Sequence, residues 1–128
     1  MKPVAAMVFA VLSVAASAYA QDALVGKYTG SYALAVRDKE ITVRLTLVIA
    51  SVEDGVVKGT ATTASSGSRP PCDGDYPMAG KYEGNKLQLH ATQKGGRTGD
   101  CSLALNLTVE GNKLVGTTGT GSQVQLSK

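Results

Sequence analysis

Tryptophan is absent from this 128-residue chain, phenylalanine and histidine occur once each, and there are only two cysteines. Each scarcity closes off a class of chemistry. One histidine, His90, and two cysteines cannot fill the tetrahedral nitrogen–sulfur shell of a zinc site. His90 sits between Leu89 and Ala91 in an alternating segment, on the polar parity, which predicts an exposed ring. A general base needs a nucleophile and an orienting partner within hydrogen-bond reach, and the sequence nominates neither. Gly95-Gly96-Arg97 lacks the lysine and the following helix of a phosphate-binding loop. Asp73-Gly74-Asp75 supplies two carboxylates of a calcium loop without the remaining ligands. The formal net charge of +3 is small and its charges are interspersed, which argues against nucleic acid as a partner. The chain is therefore read as a non-enzyme, with no cofactor and no metal.

The one long apolar run is at the N-terminus. Lys2 precedes an almost unbroken apolar stretch over residues 4–16, and Ala18-Tyr19-Ala20 supplies the small-x-small pattern that signal peptidase cleaves. The stretch is too short to span about 30 Å of hydrocarbon as a helix. The expectation is a cleaved secretory signal peptide over residues 1–20, a single domain over 21–128, and no integral membrane span after cleavage. Cleavage removes Phe9, Tyr19 and Lys2, so the mature domain has Tyr28, Tyr32, Tyr76 and Tyr82 as its only aromatics and a net charge of +2. Both cysteines, Cys72 and Cys101, remain, and an exported chain with an even pair is expected to oxidise them. The expected location is the periplasm or the exterior.

Within residues 21–128 the apolar spacing is two. Ile41, Val43, Leu45, Leu47 and Ile49 alternate with mostly polar residues in a run over 41–53, as do Cys101, Leu103, Leu105, Leu107 and Val109 in a run over 101–110. A strand with one buried face needs this period, and no segment shows the i, i+3, i+4 stripe of a helix. Asp54-Gly55, Gly84-Asn85 and Gly111-Asn112 separate such runs, each a two-residue hairpin signal. The other connections, 37–40, 65–75, 94–100 and 119–122, read as longer and irregular. The prediction is an all-β, antiparallel up-and-down meander of seven or eight strands, the count turning on whether Gly30 divides the first run. A one-sided apolar sheet must close or fold over to bury that face, and the local connections favour a small barrel over a β-sandwich. Gly26, Gly30, Gly59 and Gly80 fall at inward positions, where barrel strands kink. Few aromatics and several short strands argue against a barrel whose apolar face meets lipid.

In a meander the tight turns share one end and the long connections the other, so Cys72 and Cys101 should meet at the loop end. Arg69, Pro70, Pro71, Asp73, Asp75, Arg97 and Asp100 fall there too, and Arg69, Asp73, Asp75, Arg97 and Asp100 are the candidate partner-binding residues. Tyr28, Tyr32, Tyr76 and Tyr82 share the apolar parity of their strands and are the candidate lumen residues for a small apolar ligand.

The opening Leu24-Val25-Gly26-Lys27-Tyr28, the Asp54-Gly55 hairpin and the meander resemble small exported barrels of the avidin-like and lipocalin-like kinds. They are also similar to periplasmic barrels that inhibit proteases and lysozymes. The resemblance implies an architecture and carries over no functional residue, since avidin-type biotin sites depend on tryptophans this chain lacks. The expected function is a non-catalytic binding module, acting by loop-end recognition of a protein or by a small apolar ligand in the barrel. An enzyme-inhibitor barrel and a surface antigen without a discrete ligand are the alternatives. Expression in a secreting host should yield a chain whose N-terminal residue is Gln21, read by intact mass. A secreted chain retaining residues 1–20 would refute the cleavage assignment.

Overall fold

A computed structural model describes residues 23–36, 39–66, 72–96 and 99–128. The expected signal peptide lies outside the described residues, as do Arg69, Pro70, Pro71 and Arg97. Eight strands follow in order: β1 (Gly26–Val36), β2 (Lys39–Glu53), β3 (Val56–Ser65), β4 (Gly74–Glu83), β5 (Lys86–Ala91), β6 (Ala104–Glu110), β7 (Lys113–Thr118) and β8 (Gln123–Ser127). Each pairs antiparallel with the next, and β8 returns to β1 to close a barrel. This is the all-β up-and-down meander predicted, in its barrel form. Gly30 does not divide β1, so the count is eight.

The period-2 pattern becomes the lumen. Val43, Leu45, Leu47 and Ile49 from β2, Val57 and Ala61 from β3, and Leu105 and Leu107 from β6 are all buried, with Leu126 from β8 opposite. Burying such a side chain stabilises by about 1.5–3 kcal/mol, so the face that drives closure also fills what it encloses. Arg44, Lys58, Lys81, Gln88, His90, Asn106 and Gln125 stand on the exposed outer wall. The apolar face thus points inward, opposite to a lipid-facing barrel. Among the described residues no helix is long and apolar enough to cross a membrane.

The hairpin chemistry follows the sequence. Asp54 and Gly55 both take positive φ, 52° and 79°, as a type I′ turn requires. Gly84 and Gly111 take φ 63° at the first central position, the II′ pattern. The turn end is plugged from inside. Leu24 is buried, the Tyr28 hydroxyl donates to its carbonyl at 2.8 Å, and Lys128 Nζ donates to the Ala23 carbonyl at 2.7 Å. The same ammonium lies 5.7 Å from the Tyr28 ring centroid, within cation–π range.

Three local expectations are corrected. The connection at 37–40 is tight, because β1 and β2 pair out to Val36 opposite Lys39 and only residues 37–38 intervene. The charged Lys39 and Glu40 are exposed there, so they cost nothing in a strand and do not mark a loop. The run ending in Glu110 enters the ladder at Ala104, not Cys101, since Cys101 bridges Gly95 instead. A register shift between Ile49 and Ser51 leaves Ala50 as a bulge, which moves the buried set of β2 from odd positions to Val52.

Gly80 is required by close approach. A Cβ there would lie 1.7 Å from the Gln88 carbonyl oxygen of β5, a backbone atom that cannot step aside. At the β1–β8 seam a Cβ on Gly30 would lie 2.0 Å from the Gln125 carbonyl oxygen. Gly80→Ala should lower unfolding free energy by about 3 kcal/mol or more in urea titration, against about 0.5 kcal/mol or less for the exposed neighbour Lys81→Ala. Equal effects of the two substitutions would refute the close-approach account.

Candidate functional site

The loop end of the barrel is built around one covalent bond. Cys72, in the β3–β4 connection, is joined to Cys101, in the β5–β6 connection, with their Cα atoms 5.5 Å apart. The two lie 29 positions apart, a closure that removes roughly 3–4 kcal/mol of unfolded-chain entropy. The pairing and its place at the loop end match the sequence-based expectation. Gly95 and Cys101 exchange backbone hydrogen bonds of 2.7 and 2.9 Å, making a narrow waist in the second loop. Gly95 also packs on the Tyr76 ring, where a Cβ would come within 3.0 Å of it.

Side chains of β3 and β4 hold the first loop from below. The Cys72 carbonyl accepts from Thr63 Oγ1 at 3.1 Å and from the Tyr76 hydroxyl. Asp73 folds back onto the end of β3, where both carboxylate oxygens accept from the Ser65 backbone N–H at 2.9 and 2.8 Å. Its Oδ1 also accepts from the Ser65 hydroxyl at 2.7 Å. Hydrogen bonds to a charged acceptor are worth more than neutral ones, so this clasp fixes the loop at its root.

The candidate residues separate into groups. Asp73 lines the barrel mouth, whereas Asp75 is exposed on the outer wall and accepts from Thr62 Oγ1 at 2.6 Å across the β3–β4 rung. Their side chains do not converge. Asp100 is exposed beside Cys101. The four tyrosines all point inward, yet they form two pairs at opposite ends. Tyr28 and Tyr82 lie at the turn end and Tyr32 and Tyr76 at the loop end, with the Leu and Val core between.

At the mouth, Tyr32, Leu34, Val43, Thr63, Ser65, Asp73, Tyr76 and Leu103 line a notch of about 40 Å³. Burial pushes the phenols of Tyr32 and Tyr76 above their ordinary value. For Tyr32 the neighbouring Tyr76 and Asp73 add to that rise, and for Tyr76 Asp73 does. Burial likewise raises Tyr28, with Tyr82 contributing. Thr63, Ser65 and Leu34 are site residues not singled out from the sequence. Ser65 and Thr63 share the parity of Val57 and Ala61, which is the signal that could have placed them inward.

Set against known protein families, curated proteins and solved structures, the chain matches none. Its functional reading rests on its own geometry.

A raised phenol is protonated in the folded state where the unfolded chain has begun to ionise. The stability it contributes is complete below pH 10 and is lost as pH rises through the folded value. Unfolding free energy should therefore be flat across neutral pH and fall above about pH 10. Tyr76→Phe should reduce that alkaline slope when stability is followed by urea titration at stepped pH. An unchanged slope in the variant would contradict the assignment.

Proposed function

We propose that this protein is an exported, non-catalytic binding module that recognises another protein through the loop end of its barrel. The observation that carries the reading is the contrast between the two ends and the middle. The middle is packed with Leu, Val and Tyr, and the turn end is sealed by Leu24, Tyr28 and Lys128. The loop end instead presents a disulfide, a clasped carboxylate and a notch of mixed polar and aliphatic lining. Crosslinked, hydrogen-bonded loops lose little entropy on docking, which suits a recognition surface. The small exported barrels that the chain resembles, inhibitor barrels among them, are consistent with this use. The disulfide is compatible with an oxidising, exported location.

The test is capture of exported host proteins by the immobilised oxidised domain, residues 21–128. Partner capture should be lost in an Arg69→Ala, Arg97→Ala double variant and kept in Lys113→Ala at the turn end. Capture that survives loop-end truncation would overturn the reading. So would native mass spectrometry showing a stoichiometric small molecule carried within the barrel.

A further inference from the structure

Asp73 carries a charge that its hydrogen bonds do not neutralise. Both donors, the N–H and the hydroxyl of Ser65, are neutral, and among the described residues no Lys or Arg side chain pairs with the carboxylate. Oδ2 accepts from the Ser65 N–H alone, so it keeps acceptor capacity toward the notch. Leu34, Val43 and Leu103 give the notch its apolar lining beside the carboxylate.

A half-buried carboxylate in a notch lined in part by aliphatic side chains selects its occupant by three criteria. An anion is repelled. A neutral apolar group desolvates the charge without compensation, which is costly. A cation on an aliphatic stem satisfies both the charge and the walls. A lysine ammonium, a compact charge with three donors on a flexible four-carbon stem, meets both requirements in so small a notch. An ammonium has three donors, and the notch offers acceptors for them. Beyond Asp73, the hydroxyls of Tyr76 and Ser65 already donate their protons, to the Cys72 carbonyl and to Asp73, and keep lone pairs that can accept.

We propose that this notch receives a lysine side chain of the partner protein, its ammonium paired with Asp73. The proposal rests on reading the loop end as a protein-recognition surface, and it names the chemistry that surface reads. The raised phenols of Tyr32 and Tyr76 fit it, because they report that Asp73 faces them across the same small space.

The experiment uses n-butylammonium as the probe and follows the labelled, oxidised domain by NMR. Saturable shifts are expected at the Ser65 amide and at the methyls of Leu34, Val43 and Leu103, with millimolar affinity. Asp73→Asn, whose amide oxygen still accepts from the Ser65 N–H, should weaken binding tenfold or more. Asp75→Asn on the outer wall should bind as the parent does, and butanol and butyrate should give no saturable shift. Equal binding in parent and Asp73→Asn, or shifts spread over the outer wall, would overturn the proposal. Partner capture that is lost in the Arg69, Arg97 double variant yet unaffected by Asp73→Asn would overturn it while leaving protein recognition standing. Butylammonium binding without any partner capture would overturn protein recognition, and with it lysine as the occupant, leaving the notch a site for a free amine.

Discussion

Closure is the constraint on which everything else here depends. A sheet apolar on one face has to hide that face, and among the described residues no helix packs on it, so the first strand meets the last. The meeting is slight, with Thr29, Gly30 and Ser31 opposite Ser127, Leu126 and Gln125. Closing the barrel coils the strands, and at the seam as well as across the barrel at the β4–β5 pair backbones come so near that Gly30 and Gly80 admit no side chain. The same coiling draws the inward residues into a single column, and the column leaves the lumen full. In the reading proposed above, recognition therefore belongs to the rim and not to the inside of the barrel.

Much of this was legible because β-structure writes itself with period two. Val43 to Ile49 announce a strand and its buried face, while Asp54-Gly55 announces a turn that only positive φ can make. Meander topology then placed Cys72 and Cys101 at one end before any contact was known. What escaped was everything decided by a neighbour. Lys39 and Glu40 read as loop residues, yet the pairing of Leu34 with Ile41 and of Ala35 with Glu40 carries the ladder through them. The bulge at Ala50 depends on how β2 lies against Gly59, and one strand's sequence does not contain that.

The candidate site was legible in its cast and not in its grouping. Asp73 and Asp75 stand two apart, and parity alone would put them on one face. The Ser65 clasp draws Asp73 to the mouth from a loop, whereas Asp75 lies on the outer wall of β4. Parity put all four tyrosines inward, but position along the strand sent Tyr28 and Tyr82 to one end and Tyr32 and Tyr76 to the other. Serine and threonine are the residues least conspicuous in a sequence and most consequential here. Ser65 and Thr63 hold the disulfide loop in place through hydrogen bonds that composition cannot reveal.

The strands are not of equal height. β1 and β2 run to 11 and 15 residues, while β8 has five and pairs with β1 no further than Ser31. Beyond that point residues 32–36 carry an edge that no described strand occupies. At about 3.3 Å per residue this stretch rises roughly 17 Å past the end of its pairing with β8, held there on one side only, by β2. Tyr32 and Leu34 in this stretch line the notch. The opposing wall, Asp73 and Leu103, is tied down by a covalent bond and a carboxylate clasp. The notch is thus bordered by a ladder paired on one side only and by a crosslinked loop, two supports of unequal kind.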